Sequence, residues 1–177
     1  MKLSEVKIGK TFKVGNLEFV KFVEDENSCF VVARESVFNS TYGSNNNFAN
    51  SKILERLNRE ILPKIENEIG TENMLKFETD LTALDGLKTY GSIKSKISLP
   101  TIDFYRQNVE IFDEHKIDAW WWLATPDTTP DHYNDRWTVC VAPSGSIFNG
   151  NFYGYGLDFG VRPILCFVSS ISVSCEE

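Results

Sequence analysis

Residues 120–122 are three consecutive tryptophans, in the stretch "WWWLATPDTTP", and they constrain the fold more than any other feature of the chain. An extended segment sends successive side chains to opposite faces, so at least one of the three indoles faces away from its neighbours. An indole is large and is usually buried with its N–H paired. Trp121 and Trp122 are therefore expected in the core, with Trp120 partly exposed, and the polar loop that follows is expected to face solvent.

Around this box the pattern alternates between strands and helices. "TFKVGNLEFVKFVEDENSCFVVARES" holds three apolar, β-branched and aromatic runs separated by turn residues, which predicts a small antiparallel meander. The asparagine-rich "VFNSTYGSNNNFANS" reads as a loop, and Ser51 is placed to cap a helix over 52–62 that carries Leu54, Leu57 and Ile61 on one stripe. Pro63 is expected to kink or end that helix, because it has no N–H to donate. Residues 64–98 predict short, irregular elements with a turn at Asp85-Gly86. A second helix capped by Thr101 is predicted in "LPTIDFYRQNVEIF", ahead of the polar "DEHKID" loop. After the tryptophans come short strands punctuated by glycine, with a hairpin at Pro143-Ser144-Gly145. The expected fold class is thus α+β, one domain of short antiparallel sheets with two main helices and a long irregular loop region.

At 177 residues the chain suits a single core, and a net charge of -7 opposes a nucleic-acid binder, which needs a basic stripe. The N-terminal "MKLSEVKIGKTFKVG" has no continuous apolar stretch. Neither a signal peptide nor a membrane span is expected, and synthesis in the cytoplasm follows, with a virion or a cell surface as a possible destination. Of the four cysteines, Cys29, Cys140 and Cys166 lie in apolar runs and are expected as reduced core thiols.

One compositional bias stands out. The chain has 12 Lys, 15 Glu, 1 Gln and 2 Met, so 38 average residues would hold roughly six of these, yet residues 123–160 hold none. In their place stand aromatics, asparagine, aspartate and an arginine interleaved with glycine, the composition of an adaptable recognition surface. A glycine-rich, strand-dense segment that disfavours Lys and Glu is the alternative origin of the bias. Candidate ligand-binding residues are Asp127, His132, Tyr133, Asn134, Arg136, Trp137, Phe148, Asn149, Asn151, Phe152, Tyr153, Tyr155 and Asp158. Arg136, Trp137, Phe152, Tyr153 and Tyr155 are expected to be more exposed than core aromatics such as Phe30 and Phe167.

Catalytic signals are weak. A nucleophile pair between Cys140 and His132 is opposed by the apolar neighbours that should bury the thiol unactivated. Asp127, Asp131, Asn134 and Asp135 offer oxygen ligands in one loop, but no second ligand segment accompanies them, so neither a metal nor a cofactor is expected. In "GVRPIL", Arg162 is expected to have a structural ion pair or a cluster of carbonyls around it.

Together, Trp121-Trp122-Leu123, the hairpin near Ser144-Gly145 and Gly160-Val161-Arg162-Pro163 resemble a C-type-lectin-like fold. More closely they resemble a domain family of gut bacteria and their prophages with a WWL(R)(S/T)P box, a glycine turn and a terminal GVRP strand. "FKVGNLEFVKF", the serine-capped helix with Leu57-Asn58, and "SLPTIDFY" match that family's order of elements, so the resemblance covers nearly all of the chain. The fold class includes the variable proteins of diversity-generating retroelements and the relatives of formylglycine-generating enzymes. The resemblance implies that Trp121, Trp122 and Arg162 are scaffold and that the residues between them form the ligand face. It implies a non-catalytic module that binds a protein or a glycan, without nucleic acid or a membrane span. The alternatives are an assembly protein of a phage particle, forming a homo-oligomer or a virion component, and, third, an enzyme of the formylglycine-generating type.

Overall fold

A computed structural model describes residues 1–151 and 157–175, the side chain of Asn151 excepted. The meander forms as its alternation predicts: β1 (Thr11–Val14), β2 (Leu17–Glu24) and β3 (Ser28–Ala33), followed by β4 (Phe38–Ser40). Next comes one helical column made of α1 (Lys52–Arg56), a π-helical turn (Leu57–Ile61) and α2 (Leu62–Ile69). Short strands β5 (Met74–Leu75), β6 (Phe77–Asp80), β7 (Ser92–Ser95) and β8 (Ile97–Ser98) lead to α3 (Ile102–Gln107) and α4 (Val109–Glu114). The tryptophan strand β9 (Trp121–Pro126), β10 (Trp137–Val141), β11 (Ile147–Asn151), β12 (Phe159–Val161) and β13 (Ile164–Val168) complete the order.

The fold is mixed α+β, built mostly of short antiparallel sheets. One sheet runs β1-β2-β3-β13-β5 with β8 also paired to β13; a second runs β11-β10-β9-β12-β4; β6 and β7 form a hairpin. The helix content differs from expectation, for there is one main helix rather than two. Pro63 does not end it. The Leu62 N–H reaches back five residues to the Leu57 carbonyl, and this wider turn accommodates the proline at the start of α2. Both caps read from the sequence form: Ser51 Oγ accepts from the Leu54 N–H at 3.0 Å and Thr101 Oγ1 from the Phe104 N–H at 3.2 Å. The helix that Thr101 opens is broken at Asn108 into two six-residue pieces, α3 and α4.

Two cores lie on opposite faces of β9. Trp122, Ala124 and Cys140 join the main helix and the inner face of the first sheet, including Phe12, Phe19 and Phe167. Trp121, Leu123, Val139 and Val141 join α3, α4 and the other face of the first sheet through Phe22 and Val32. Neighbouring tryptophans therefore enter different cores, the consequence of side-chain alternation on a strand covered on both sides. Trp122 is fully buried, its Nε1–H donates to the Ser40 carbonyl at 2.9 Å, and its ring meets Tyr42 edge-on at 5.3 Å. Gly150, on the neighbouring face of β11, exists for this ring: a Cβ there would stand 2.6 Å from Trp122 Cζ3.

Buried charge is held by the backbone and by rings. Lys21, fully buried, donates to the carbonyls of Leu3 and Val6 at 3.1 and 2.8 Å and pairs with Glu24 at 2.9 Å, which ties the N-terminal turn to β2. The Arg162 guanidinium lies 4.8 Å above the Trp121 ring, and its Nε–H donates to the Ala33 carbonyl at 3.0 Å. The expected ion pair or carbonyl cluster is replaced by one carbonyl and two rings, since among the described residues no carboxylate pairs with it. Phe30 also departs from expectation. It is only half-buried, packed edge-on to Phe77 at 5.3 Å beside an apolar cleft of about 240 Å³, because its position on β3 faces away from the first core. Phe167 is fully buried, as expected.

Candidate functional site

The loop after β9 is held from outside. The Asn46 amide, fully buried, donates to the carbonyls of Thr128 and Trp137 at 2.8 and 2.9 Å, and its oxygen accepts from the Tyr90 hydroxyl at 2.7 Å. The Asn46 N–H donates to the Asp135 carbonyl. A residue of the asparagine-rich loop thus pins both ends of the 128–137 segment, and burial raises the Tyr90 phenol to about 12, with Asp135 and Asp131 adding to the rise.

The turn after β6 supplies the other wall. Leu84 and Asp85 donate their N–H groups to the carbonyls of Pro126 and Asp127, which seats the turn alongside the loop. Asp85 Oδ2 then accepts from Thr128 Oγ1 at 2.5 Å and from His132 Nδ1 at 2.7 Å, and Asp85 Oδ1 from the Leu87 N–H at 3.3 Å. The hydrogen bond from His132, followed by that from Thr128, holds the Asp85 carboxyl below its usual value. An ionised carboxylate only accepts, so His132 carries a proton on Nδ1. Asp127 Oδ1 accepts from Asn149 Nδ2 at 2.8 Å. Burial raises the Asp127 carboxyl, opposed by that amide and reinforced by the like charge of Asp85.

Leu84, Asp85, Asp127, Thr128, His132 and Tyr133 enclose an open depression of about 370 Å³. Tyr133 is 80% exposed at its rim and Leu84 43%. Trp137 is about one-third exposed beside it, its carbonyl accepting from the Asp127 N–H at 3.0 Å. Arg136 is exposed, and its N–H is held by Asn134 Oδ1 at 2.9 Å. Asp131 accepts from Thr89 Oγ1 at 2.8 Å.

The expected single face is divided. In the β10–β11 register, Val139 stands opposite Asn149 and Cys140 opposite Phe148. Asn149 therefore shares the face that carries the depression, and Phe148 points to the opposite one. There Phe148, 50% exposed, meets Trp120 at 5.2 Å, and Trp120 stacks on Phe159 at 5.6 Å. Asp158 lies apart from both, in a hollow with Lys52, Arg56 and Arg59. Phe152, Tyr153 and Tyr155 and the side chain of Asn151 lie outside the described residues. Trp121, Trp122 and Arg162 are buried in the interior.

Cys140 lies inside the second sheet, donates its thiol to the Phe148 carbonyl at 3.3 Å, and is pushed up to about 12 by burial. It is a neutral packing group. Among the described residues no three His, Cys, Asp or Glu side chains are grouped to hold a metal ion. Asp85 was visible in the sequence only as a turn residue. No local signal joins it to His132, 47 positions away. Comparison of the chain with protein-family models, curated proteins and solved structures finds no match.

Proposed function

We propose that the chain is a non-catalytic recognition module of C-type-lectin-like fold, of phage, prophage or gut-bacterial origin. It binds a protein or a glycan, on a virion or a cell surface, through the rim of its second sheet. The observation that carries this reading is where the exposed aromatic side chains stand. Among the described residues these are Trp120, Tyr133, Trp137 and Phe148, each at least 36% exposed, and all come from residues 120–148. Exposed aromatics gathered among polar side chains mark binding surfaces, because each offers a broad rigid contact at small ordering cost. Two sheets of short strands, antiparallel except for the β9–β12 pair, with an irregular segment between β9 and β10, fit the lectin-like fold. A neutral Cys140 and a His132 engaged by Asp85 fit a binding role better than nucleophilic catalysis.

The test is retention of fluorescently labelled protein on intact gut-bacterial cells. Tyr133→Ser with Trp137→Ser should preserve the melting temperature and abolish retention, since a few anchors of this kind carry most of the binding energy, roughly 2 kcal/mol or more apiece. Retention that survives the double substitution, or that tracks only the folded fraction, overturns the reading. A stable oligomer at micromolar concentration would instead favour the phage-assembly alternative.

A further inference from the structure

We propose that the apolar cleft between the β6–β7 hairpin and α3 binds a small, uncharged, bicyclic aromatic molecule. The cleft shares no residue with the depression beside Tyr133, and the assignment stands independently of the recognition reading above.

Its walls set the shape of the occupant. β3 contributes Phe30, β6 Phe77 and α3 Phe104, and these three partly buried rings line a space of about 240 Å³ that the buried Leu99 and Ile164 close on the inside. A dry cavity of about 150 Å³ with walls of this kind holds benzene, so the larger space has room for a second fused ring. Phe30 and Phe77 already meet edge-on at 5.3 Å, and a flat ligand against them extends the edge-to-face packing that aromatic rings prefer. A saturated molecule of the same bulk lacks that gain.

The same walls offer little to water or to charge. Thr79 spends its hydroxyl proton on Ser98 Oγ at 2.8 Å, and Thr101 Oγ1 accepts from the Phe104 N–H at 3.2 Å, which leaves one hydroxyl proton between them. Water held so poorly is readily displaced by an apolar group. Around the mouth, Glu78 stands directly across the hairpin from Lys94, Glu24 beside Val23 pairs with Lys21 at 2.9 Å, and Asp103 beside Phe104 pairs with Arg106 at 2.7 Å. These three carboxylates each have a cation of their own, so the mouth draws neither sign, and a charged ligand would give up its hydration without a partner. The apolar lining is also recessed: Val23, Phe30, Phe77 and Phe104 are only partly exposed, whereas a surface for docking a protein presents projecting rings, as Phe148 does elsewhere. The occupant is therefore something small enough to enter.

The probes are indole, its cationic and anionic analogues tryptamine and indole-3-propionate, and the saturated cyclohexanol. Each is titrated at pH 7 into the isotope-labelled protein while amide and methyl resonances are followed. Indole should shift Val23, Phe30, residues 77–79 and 99–104, and Ile164 saturably, with a Kd under about 1 mM, and the other three should bind at least about tenfold more weakly. Val23→Phe, which puts a ring into the space, should abolish those shifts while the melting temperature is kept or raised. Phe77→Leu, which keeps an apolar wall without the ring, should weaken indole about tenfold. The proposal is overturned by indole producing no saturable shift, by shifts centred on Trp120 and Phe148, or by a charged analogue or cyclohexanol binding as tightly as indole. A folded Val23→Phe protein that binds like the wild type overturns it as well. Should that variant fail to fold, unchanged indole affinity in Phe77→Leu has the same force.

Discussion

Gly150→Ala tests whether the two sheet strands and the tryptophan box pack as described. The added Cβ would lie 2.6 Å from Trp122 Cζ3 and 2.9 Å from Cη2. Ordinary carbon contacts are about 3.5 Å, so the overlap is roughly 0.9 Å against a side chain with nowhere to go. Trp122 is fully buried, held by the Ser40 carbonyl and packed on Tyr42 and Phe159. Overpacking of this kind costs about 2 kcal/mol, which for a chain of this length lowers the melting temperature by roughly 4–8 °C. Trp122→Phe removes the colliding atoms at its own cost, a cavity and an unpaired Ser40 carbonyl, again about 2 kcal/mol. In the double variant the alanine methyl enters the vacated space, so the two costs should fall short of additivity by about 1 kcal/mol. Circular dichroism melts of the four proteins measure the cycle. An unchanged melting temperature for Gly150→Ala, or strict additivity, would refute the proposed contact.

Four further outcomes are expected. Asp85 is held below its usual value, so its stabilisation is present above its unfolded value and is lost as pH falls through the folded one; Asp85→Asn should lower the melting temperature at pH 7 and make little difference near pH 3. Asp127 is raised, so its ionisation weakens the fold as pH rises through the folded value; Asp127→Asn should raise the melting temperature at pH 7 and not near pH 3, and equal effects at both pH values would contradict either assignment. Arg162→Ala should cost about 3 kcal/mol through the lost Ala33 bond, the lost contact with Trp121 and the space left behind, while cell retention of the folded protein stays unchanged. In the native protein a thiol reagent should modify Cys175 quickly and leave Cys29, Cys140 and Cys166 untouched until denaturant is added; fast reaction of a second thiol would place one of these three outside the core.

Features that depend on a few neighbouring residues were legible in the sequence. Alternation announced the meander and the opposed tryptophans, hydroxyls at Ser51 and Thr101 announced helix starts, and Pro143-Ser144-Gly145 announced the turn into β11. The depletion of Lys and Glu after residue 122 pointed to the stretch that carries exposed aromatics such as Tyr133, Trp137 and Phe148. Local rules also misled. Pro63 was expected to kink or end its helix, and the helix carries on past it after one wider turn; Phe30 looked like core, yet its side of β3 meets an open cleft.

Only the folded chain could decide which residues meet. Asn46 and Trp137 are 91 positions apart and Asp85 and Thr128 are 43 apart, and their pairing depends on how the sheets close, which no periodicity encodes. Phe148 and Asn149 look equivalent as neighbours in a recognition-like segment, but the strand register sends them to opposite faces and so divides one expected surface into two. Gly150 looked like punctuation, and its reason is a tryptophan ring 28 positions earlier. Local sequence determined the elements and which side chains alternate along them, because backbone sterics and capping act over a few residues. The tertiary structure decided the site, because its chemistry comes from groups that only chain closure brings within hydrogen-bonding distance.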